Sequence, residues 1–172
     1  KYCIKCLIPD SKPDIFFDSK GVCCSCNNFI SRKEVDWSKR EIEFKNILDK
    51  YRSKSKTKWD CIVPVSGGKD STYQVVKMLQ LGMNPLCVTS TTCDESRLGR
   101  TNILNLQSLG VDHIQITPNP KVRAKLNKIG LEQVGDIAWP EHVGIFTIPV
   151  RAAVNYNVPL ISTYYIENSN SN

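Results

Sequence analysis

Trp59-Asp60-Cys61-Ile62-Val63-Pro64-Val65 runs straight into Ser66-Gly67-Gly68-Lys69-Asp70-Ser71. The first stretch is apolar and strand-like; after the glycines, Thr72, Val75, Val76 and Leu79 recur at helical spacing until Gly82. A strand, a tight turn and a helix in that order make an anion cradle, because open amides and the positive end of the helix converge on one point. Two adjacent glycines let the backbone turn and approach a ligand without Cβ interference. Ser66 and Ser71 add hydroxyl donors, Lys69 a cation, and Asp70 a carboxylate for Mg²⁺. The spacing is not G-x-x-x-x-G-K-[ST], so it is not the Walker loop that serves cleavage between the β and γ phosphates. The bland alternative is a serine-glycine turn, which has no need for Lys69 and Asp70 together.

Working outward, the chain after the linker-like Ser53-Lys54-Ser55-Lys56-Thr57-Lys58 alternates strand and helix. Pro85 to Thr91 reads as a second strand, with Ile103, Leu104, Leu106 and Leu109 marking a helix closed by Gly110. His113 to Thr117 is a third strand, and Asn119-Pro120 reads as the cap and first-turn proline of a helix through Ile129. Trp139-Pro140 opens another helix through Tyr156, and Pro159 to Thr163 reads as a fourth strand. Strands separated by helices predict an α/β fold, a parallel sheet with helices on both faces and ligands at the carboxyl ends of its strands. The division this gives is 1–30 for a cysteine module, 31–58 for a connecting helix and linker, and 59–172 for the nucleotide-binding α/β domain.

Of eight cysteines, four fall as Cys3-x-x-Cys6 and Cys23-x-x-Cys26, the spacing of a two-knuckle zinc site. Each pair presents two thiolates from one turn, and two turns close a tetrahedral S₄ site, which is structural. Gly21 suits the second turn, and Cys24 is a bystander within it. A disulfide framework is the rival reading, weakened by the lack of a secretory apolar region before Cys3. Four thiolates would also serve an iron–sulfur cluster. Cys61, Cys87 and Cys93 lie on or beside apolar segments and read as core fillers, with Cys93 near the expected site.

A chain of 172 residues can hold one sizeable core and a small appendage. No apolar run approaches a membrane span: Val143 to Val150 is the longest and ends at Arg151. Net charge is +6, concentrated between Arg32 and Lys58, where Phe44, Ile47, Leu48 and Tyr51 fall at i, i+3, i+4 and i+7. That segment predicts an amphipathic helix with a solvated basic face. An RNA or acidic-partner patch is the functional alternative, disfavoured because no aromatic residues interleave with the charges.

Ser66-Gly67-Gly68-Lys69-Asp70-Ser71 resembles the PP-loop of the ATP pyrophosphatases, the S-G-G-x-D-S signature of enzymes that split ATP between its α and β phosphates. Other stretches narrow the likeness: Tyr2 to Cys6 with Pro9-Asp10 and Pro13, Phe17 to Cys23 with Cys26, Cys87-Val88-Thr89, Gln133 to Asp136, Trp139-Pro140-Glu141-His142, and Phe146 to Arg151. Together these resemble the N-acetyl sugar amidotransferase family of bacterial surface-polysaccharide and flagellin-sugar biosynthesis. The cysteine pairs and the loop alone are shared with tRNA thiolases; the W-P-E-H stretch separates the two. One departure is that the family continues from the fourth strand into a Gly-Glu-Asn motif and a further substrate-binding region, whereas Ile166-Glu167-Asn168 here leads into a polar tail. The expectation drawn from it is a domain incomplete at its C-terminus.

The resemblance implies a PP-loop fold of the adenine nucleotide alpha hydrolase kind behind a zinc-ribbon-like module, with ATP, Mg²⁺ and structural Zn²⁺ as cofactors. ATP would be held by Ser66, Gly67, Gly68, Lys69, Asp70 and Ser71, with Thr89 and Ser90 meeting the adenosine. Lys69 and Asp70, with Mg²⁺ on Asp70, would stabilise the transferring phosphoryl, and Glu141 and His142 would contact the sugar or take a proton from ammonia. His142 reads equally as a local helix-start residue. Asp136, Trp139, Arg151, Glu167 and Asn168 fall on the substrate side, although Asp136 and Arg151 suit an internal ion pair as well. The implied partners are an N-acetylated sugar or sugar nucleotide and a glutamine amidotransferase that supplies ammonia. No membrane or nucleic-acid partner is expected, a homo-oligomer is compatible, and the expected compartment is the cytoplasm. The competing classes are a tRNA thiolase, which would carry further C-x-x-C pairs that do not follow Cys93 here, and a non-enzymatic zinc-knuckle binding module.

Overall fold

The structure, a computed structural model, describes residues 1–52, 59–92 and 95–163. Expectations placed on Lys54 to Lys58, Cys93, Glu167 and Asn168 lie outside the described residues. The chain divides into two compact units, one of them Lys1–Phe44 and the other starting at Lys45.

In the first unit, two short antiparallel bridges, Tyr2 to Pro9 and Phe17 to Cys23, close the two cysteine turns. Leu7 N–H returns to Cys3 C=O at 2.9 Å, and Asp18 organises the second turn by accepting from the N–H groups of Lys20 and Val22. Gly21 there has φ +78°, a left-handed turn position that favours glycine. Helix α1, Cys24–Ser31, starts directly on the second pair, with the Cys23 sulfur accepting from Cys26 N–H. Among the described residues of this unit the buried apolar side chains are Cys3, Val22 and Cys23, with Ile8, Ile15, Phe17 and Cys26 around them. That is a very small core.

The second unit is an α/β layer structure, as the alternation predicts. Strands β1 (Cys61–Pro64), β2 (Pro85–Ser90) and β3 (Asp112–Ile116) pair in parallel in that order. Successive strand side chains point to opposite faces, and here both faces are apolar. Cys61, Val63, Val65 and Cys87 face a layer that includes Leu48 of α2 (Trp37–Arg52), Val75 and Met78 of α3 (Lys69–Gln80) and Leu106 of α4 (Arg97–Gln107). Ile62, Leu86 and Val88 face Ile148, Ala152 and Ala153 of α6 (Trp139–Asn155), against which α5 (Pro120–Val134) packs. Asn119 caps α5, accepting from the N–H groups of Lys121 and Val122, and Gly135 at φ +76° ends it.

Two expectations need correction. The fourth strand, expected over Pro159 to Thr163, is a single parallel bridge between Ile161 and Ile62 among the described residues. Ile62 N–H donates to Leu160 C=O and Ser162 N–H donates to Ile62 C=O, both at 2.8 Å, so this segment lies along the edge of β1 opposite β2. The stripe on α2 is mostly unburied: Leu48 is 1% exposed, whereas Phe44 is 41% and Ile47 48% exposed. One turn of that helix reaches the core, so helical spacing marked a wider face than is buried.

Candidate functional site

The glycine turn occupies the carboxyl end of β1, with β2 on one edge of that strand and the 160–162 segment on the other. This is the position at which chain direction across a parallel sheet reverses, where such folds bind ligands. Gly67 has φ +75°, and a Cβ there would stand 3.0 Å from Ile103 Cγ1 and 3.2 Å from the Gly99 carbonyl, so α4 backs the turn closely. Gly68 is the N-cap of α3 and supplies no side-chain cap, which leaves Lys69, Asp70 and Ser71 as an open first turn. Ser71 Oγ accepts from Ser66 N–H at 3.3 Å and donates to Gly68 C=O at 3.1 Å. One expected amide donor, that of Ser66, is therefore spent on closing the turn. Lys69 Nζ lies 3.1 Å from both Asp70 oxygens, with the two side chains 88% and 60% exposed. So exposed a pair is held weakly and both partners stay available to a ligand.

A cavity of about 250 Å³ opens on this turn. Ser66, Asp70, Ser71 and Gln74 form one side, Val88 and Ser90 the end of β2, and Ile145 and Pro149 the facing flank of α6. Gly144 makes that approach close: a Cβ there would sit 2.8 Å from Ser90 Oγ. The donor set suits a phosphorylated ligand and a hard cation on Asp70, since amides, hydroxyls and a carboxylate are what each requires.

Of the two β2 residues assigned to adenosine, Ser90 lines the cavity and Thr89 does not. Thr89 is 3% exposed; its hydroxyl donates to Val65 C=O at 2.7 Å and lies 2.8 Å from His113 Nε2. Because its one proton goes to Val65, it accepts from His113, which must carry its proton on Nε2. Glu141 and His142 stand in the first turn of α6 and do not line the cavity on the glycine turn. Glu141 accepts from the 4%-exposed Arg123 at 3.3 Å, and Arg123 also donates to Thr91 C=O at 3.1 Å. His142 Nδ1 lies 3.6 Å from Asp136, whose other oxygen accepts from Ala138 N–H. Asp136 thus lies beside His142 rather than Arg151, which is exposed; Trp139 is 44% exposed. Arg123 and His113 escaped sequence reasoning. Arg123 sits between the exposed Lys121 and Lys125, and nothing in that pattern marks it as buried.

Cys3, Cys6, Cys23 and Cys26 come together in the first unit, their sulfurs all within 4.8 Å of one another. Cys6 to Cys23 is 3.6 Å and Cys3 to Cys26 is 4.0 Å, close to the roughly 3.8 Å edge of a zinc–thiolate tetrahedron with 2.3 Å bonds. Cys3 sulfur accepts from the N–H groups of Lys5 and Cys23. Burial raises the Cys3 thiol, but these backbone donors outweigh it and bring it down to about 6. Cys26 is pushed up to about 12 by its hydrogen bond with Cys6 and by burial. Four crowded thiols cannot all ionise alone, and a divalent cation removes that obstacle. The residues fit a closed structural zinc. Cys61 and Cys87, by contrast, are fully buried, and burial pushes each thiol up to about 12, so they are core side chains.

No family model matches the chain, and no curated protein matches it. Among solved structures it is similar to a protein described as a predicted subunit of tRNA methyltransferase from Methanocaldococcus jannaschii. Identity is 21%, covering 63% of this chain and 55% of that one, with a TM-score of 0.44. The chain thus spans little more than half of that neighbour's length. What the site does is read from its own residues.

Proposed function

We propose that the second unit is an AMP-forming ATP pyrophosphatase of the PP-loop type acting on the acetamido group of an N-acetylated sugar. The observation that carries the nucleotide half is the uncapped first turn of α3, with Lys69, Asp70 and Ser71, on a cavity at the carboxyl end of β1. The resemblance through Trp139-Pro140-Glu141-His142 supports the sugar half. An acetamido carbon is a poor electrophile. Its oxygen attacks the α-phosphorus, pyrophosphate leaves, and the nitrogen proton is lost, giving an O-adenylyl imidate. Ammonia then adds to the imidate carbon and AMP departs with the original carbonyl oxygen, leaving an amidine that takes up a proton.

The first-turn amides and Lys69 bind the phosphates and stabilise the charge that develops on them. Mg²⁺ on Asp70 would neutralise the departing pyrophosphate. Ser90 and Gln74 line the same cavity and orient the nucleotide. On this reading ammonia comes from a separate glutaminase; among the described residues, the buried Cys61 and Cys87 thiols lack the character of a glutaminase nucleophile.

Phosphorus NMR of the reaction with ATP, Mg²⁺, high ammonium and an N-acetylated sugar tests this reading. AMP and pyrophosphate are expected, with the sugar one mass unit lighter; ADP and orthophosphate would refute it. Asp70→Asn should lower turnover at least about a hundredfold, the loss of metal stabilisation being worth several kcal/mol. Sulfur entering tRNA, with every N-acetylated sugar unchanged, would replace the sugar reading by the thiolase one.

A further inference from the structure

A second cavity, of about 440 Å³, opens between α4 and the carboxyl ends of β2 and β3. Its volume is within the roughly 300–1,000 Å³ range of small-molecule sites. It contains none of the residues assigned above to phosphate or sugar, yet Thr92 lines both this cavity and the one on the glycine turn.

Its wall is a hydrogen-bonded network with two atoms to spare. Thr91 Oγ1 accepts from Gln115 Nε2 and from Thr117 Oγ1, each at 3.0 Å. The second Gln115 N–H goes to Glu95 Oε1 at 3.3 Å, and a carboxylate there requires the amide nitrogen, not its oxygen, to face it. Among the described residues this leaves the Thr91 hydroxyl proton as an open donor and the Gln115 carbonyl as an open acceptor. Ile103 and Leu104 supply aliphatic surface. Among the described residues the lining contains no aromatic ring to stack on a base. Its one described cation, Arg100, is 71% exposed and is matched by the one described carboxylate, Glu95, 3.9 Å away, so the described lining carries no net positive charge to favour a phosphate. A donor and an acceptor beside aliphatic carbon match the hydroxyls and C–H face of a saturated ring.

We infer that this cavity is the acceptor subsite, taking an uncharged, hydroxyl-rich ring of monosaccharide size whose reacting group reaches the glycine turn past Thr92. The assignment rests on the reading of that turn as the ATP site. Any charged carrier on the ring stays outside the cavity.

The test is methyl-resolved NMR of the whole protein, titrated separately with N-acetylglucosamine, N-acetylgalactosamine and ATP. At least one sugar should move the Ile103 and Leu104 methyls saturably. Gln115→Leu and Thr91→Val should each weaken that binding about tenfold, with ATP affinity unchanged within about twofold. Melting temperatures of both variants report whether the fold is kept. If ATP shifts the Val65, Val88 and Ile145 methyls on the glycine-turn cavity while neither sugar moves Ile103 or Leu104, the subsite assignment falls and the nucleotide reading stands. Sugar binding that is unaltered in both variants also overturns the assignment. Sugar binding without any ATP binding removes the reading beneath it, and the acceptor role falls as well.

Discussion

Gly67 carries two constraints at once, a φ of +75° and a backbone carbonyl 3.2 Å from where a Cβ would stand. Gly67→Ala therefore meets left-handed strain and an unyielding neighbour, and a loss of roughly 1–3 kcal/mol is expected. Gly68 has φ −78° and ψ 163°, ordinary extended backbone, with nothing nearer than Ser66 Oγ at 3.5 Å. Thermal melts of the two alanine variants should differ clearly, Gly67→Ala lower; equal melting would contradict this account of the turn. Behind the turn, Thr89 hangs on Val65 C=O with His113 on its far side. Burial lowers the His113 pKa, with Glu95 opposing it. The folded state thus binds that proton less well than the unfolded chain. Its stability should fall as pH drops below about 6.5, the unfolded histidine value. The drop from pH 7 to pH 5 should be smaller in His113→Gln, as followed by urea melts; an equal drop would remove His113 from the account.

At the scale of elements, the first unit buries too little apolar surface to fold by itself, with Cys3, Val22 and Cys23 as its described core. Metal binding is then folding free energy for that unit. About one zinc per chain is expected by elemental analysis, unchanged in Cys24→Ser. A chelator should collapse the amide dispersion of residues 1–44 while that of the second unit persists. Because Cys26 sits at about 12 without metal, binding releases protons, and apparent zinc affinity should fall as pH falls. Retention of structure in residues 1–44 after complete removal of metal would contradict this.

Much of this architecture was legible because local signals and tertiary packing agreed. The cysteine spacing, the Asn119-Pro120 start and Gly82 beyond α3 each act within a turn or two of chain, whereas α5 runs past its expected end at Ile129 to Val134. What failed depended on distant partners. The 160–162 segment looks as apolar as β2 but finds its partner only at Ile62, and Phe44 keeps the helical spacing of Leu48 without its burial. Arg123 and Thr89 are polar residues whose burial follows from Glu141, Thr91 and Val65, far away in sequence.

Across the whole molecule, the functional features divide by chemistry. Cysteine sulfurs gather in the unit of residues 1–44, and the groups that suit a phosphate gather at one end of the parallel sheet in the other. The +6 net charge adds long-range attraction for anions but does not choose among them. Among the described residues no helix is long and apolar enough to cross a membrane. The central claim is that ATP activates an acetamido oxygen at the glycine turn. Its most direct test is oxygen-isotope transfer: an N-acetylated sugar labelled with ¹⁸O in its acetamido carbonyl is converted with ATP, Mg²⁺ and ammonium, and the phosphorus products are examined. The account predicts one ¹⁸O in AMP, none in pyrophosphate, and an amidine without the label. AMP without label, or label found in orthophosphate, would contradict it.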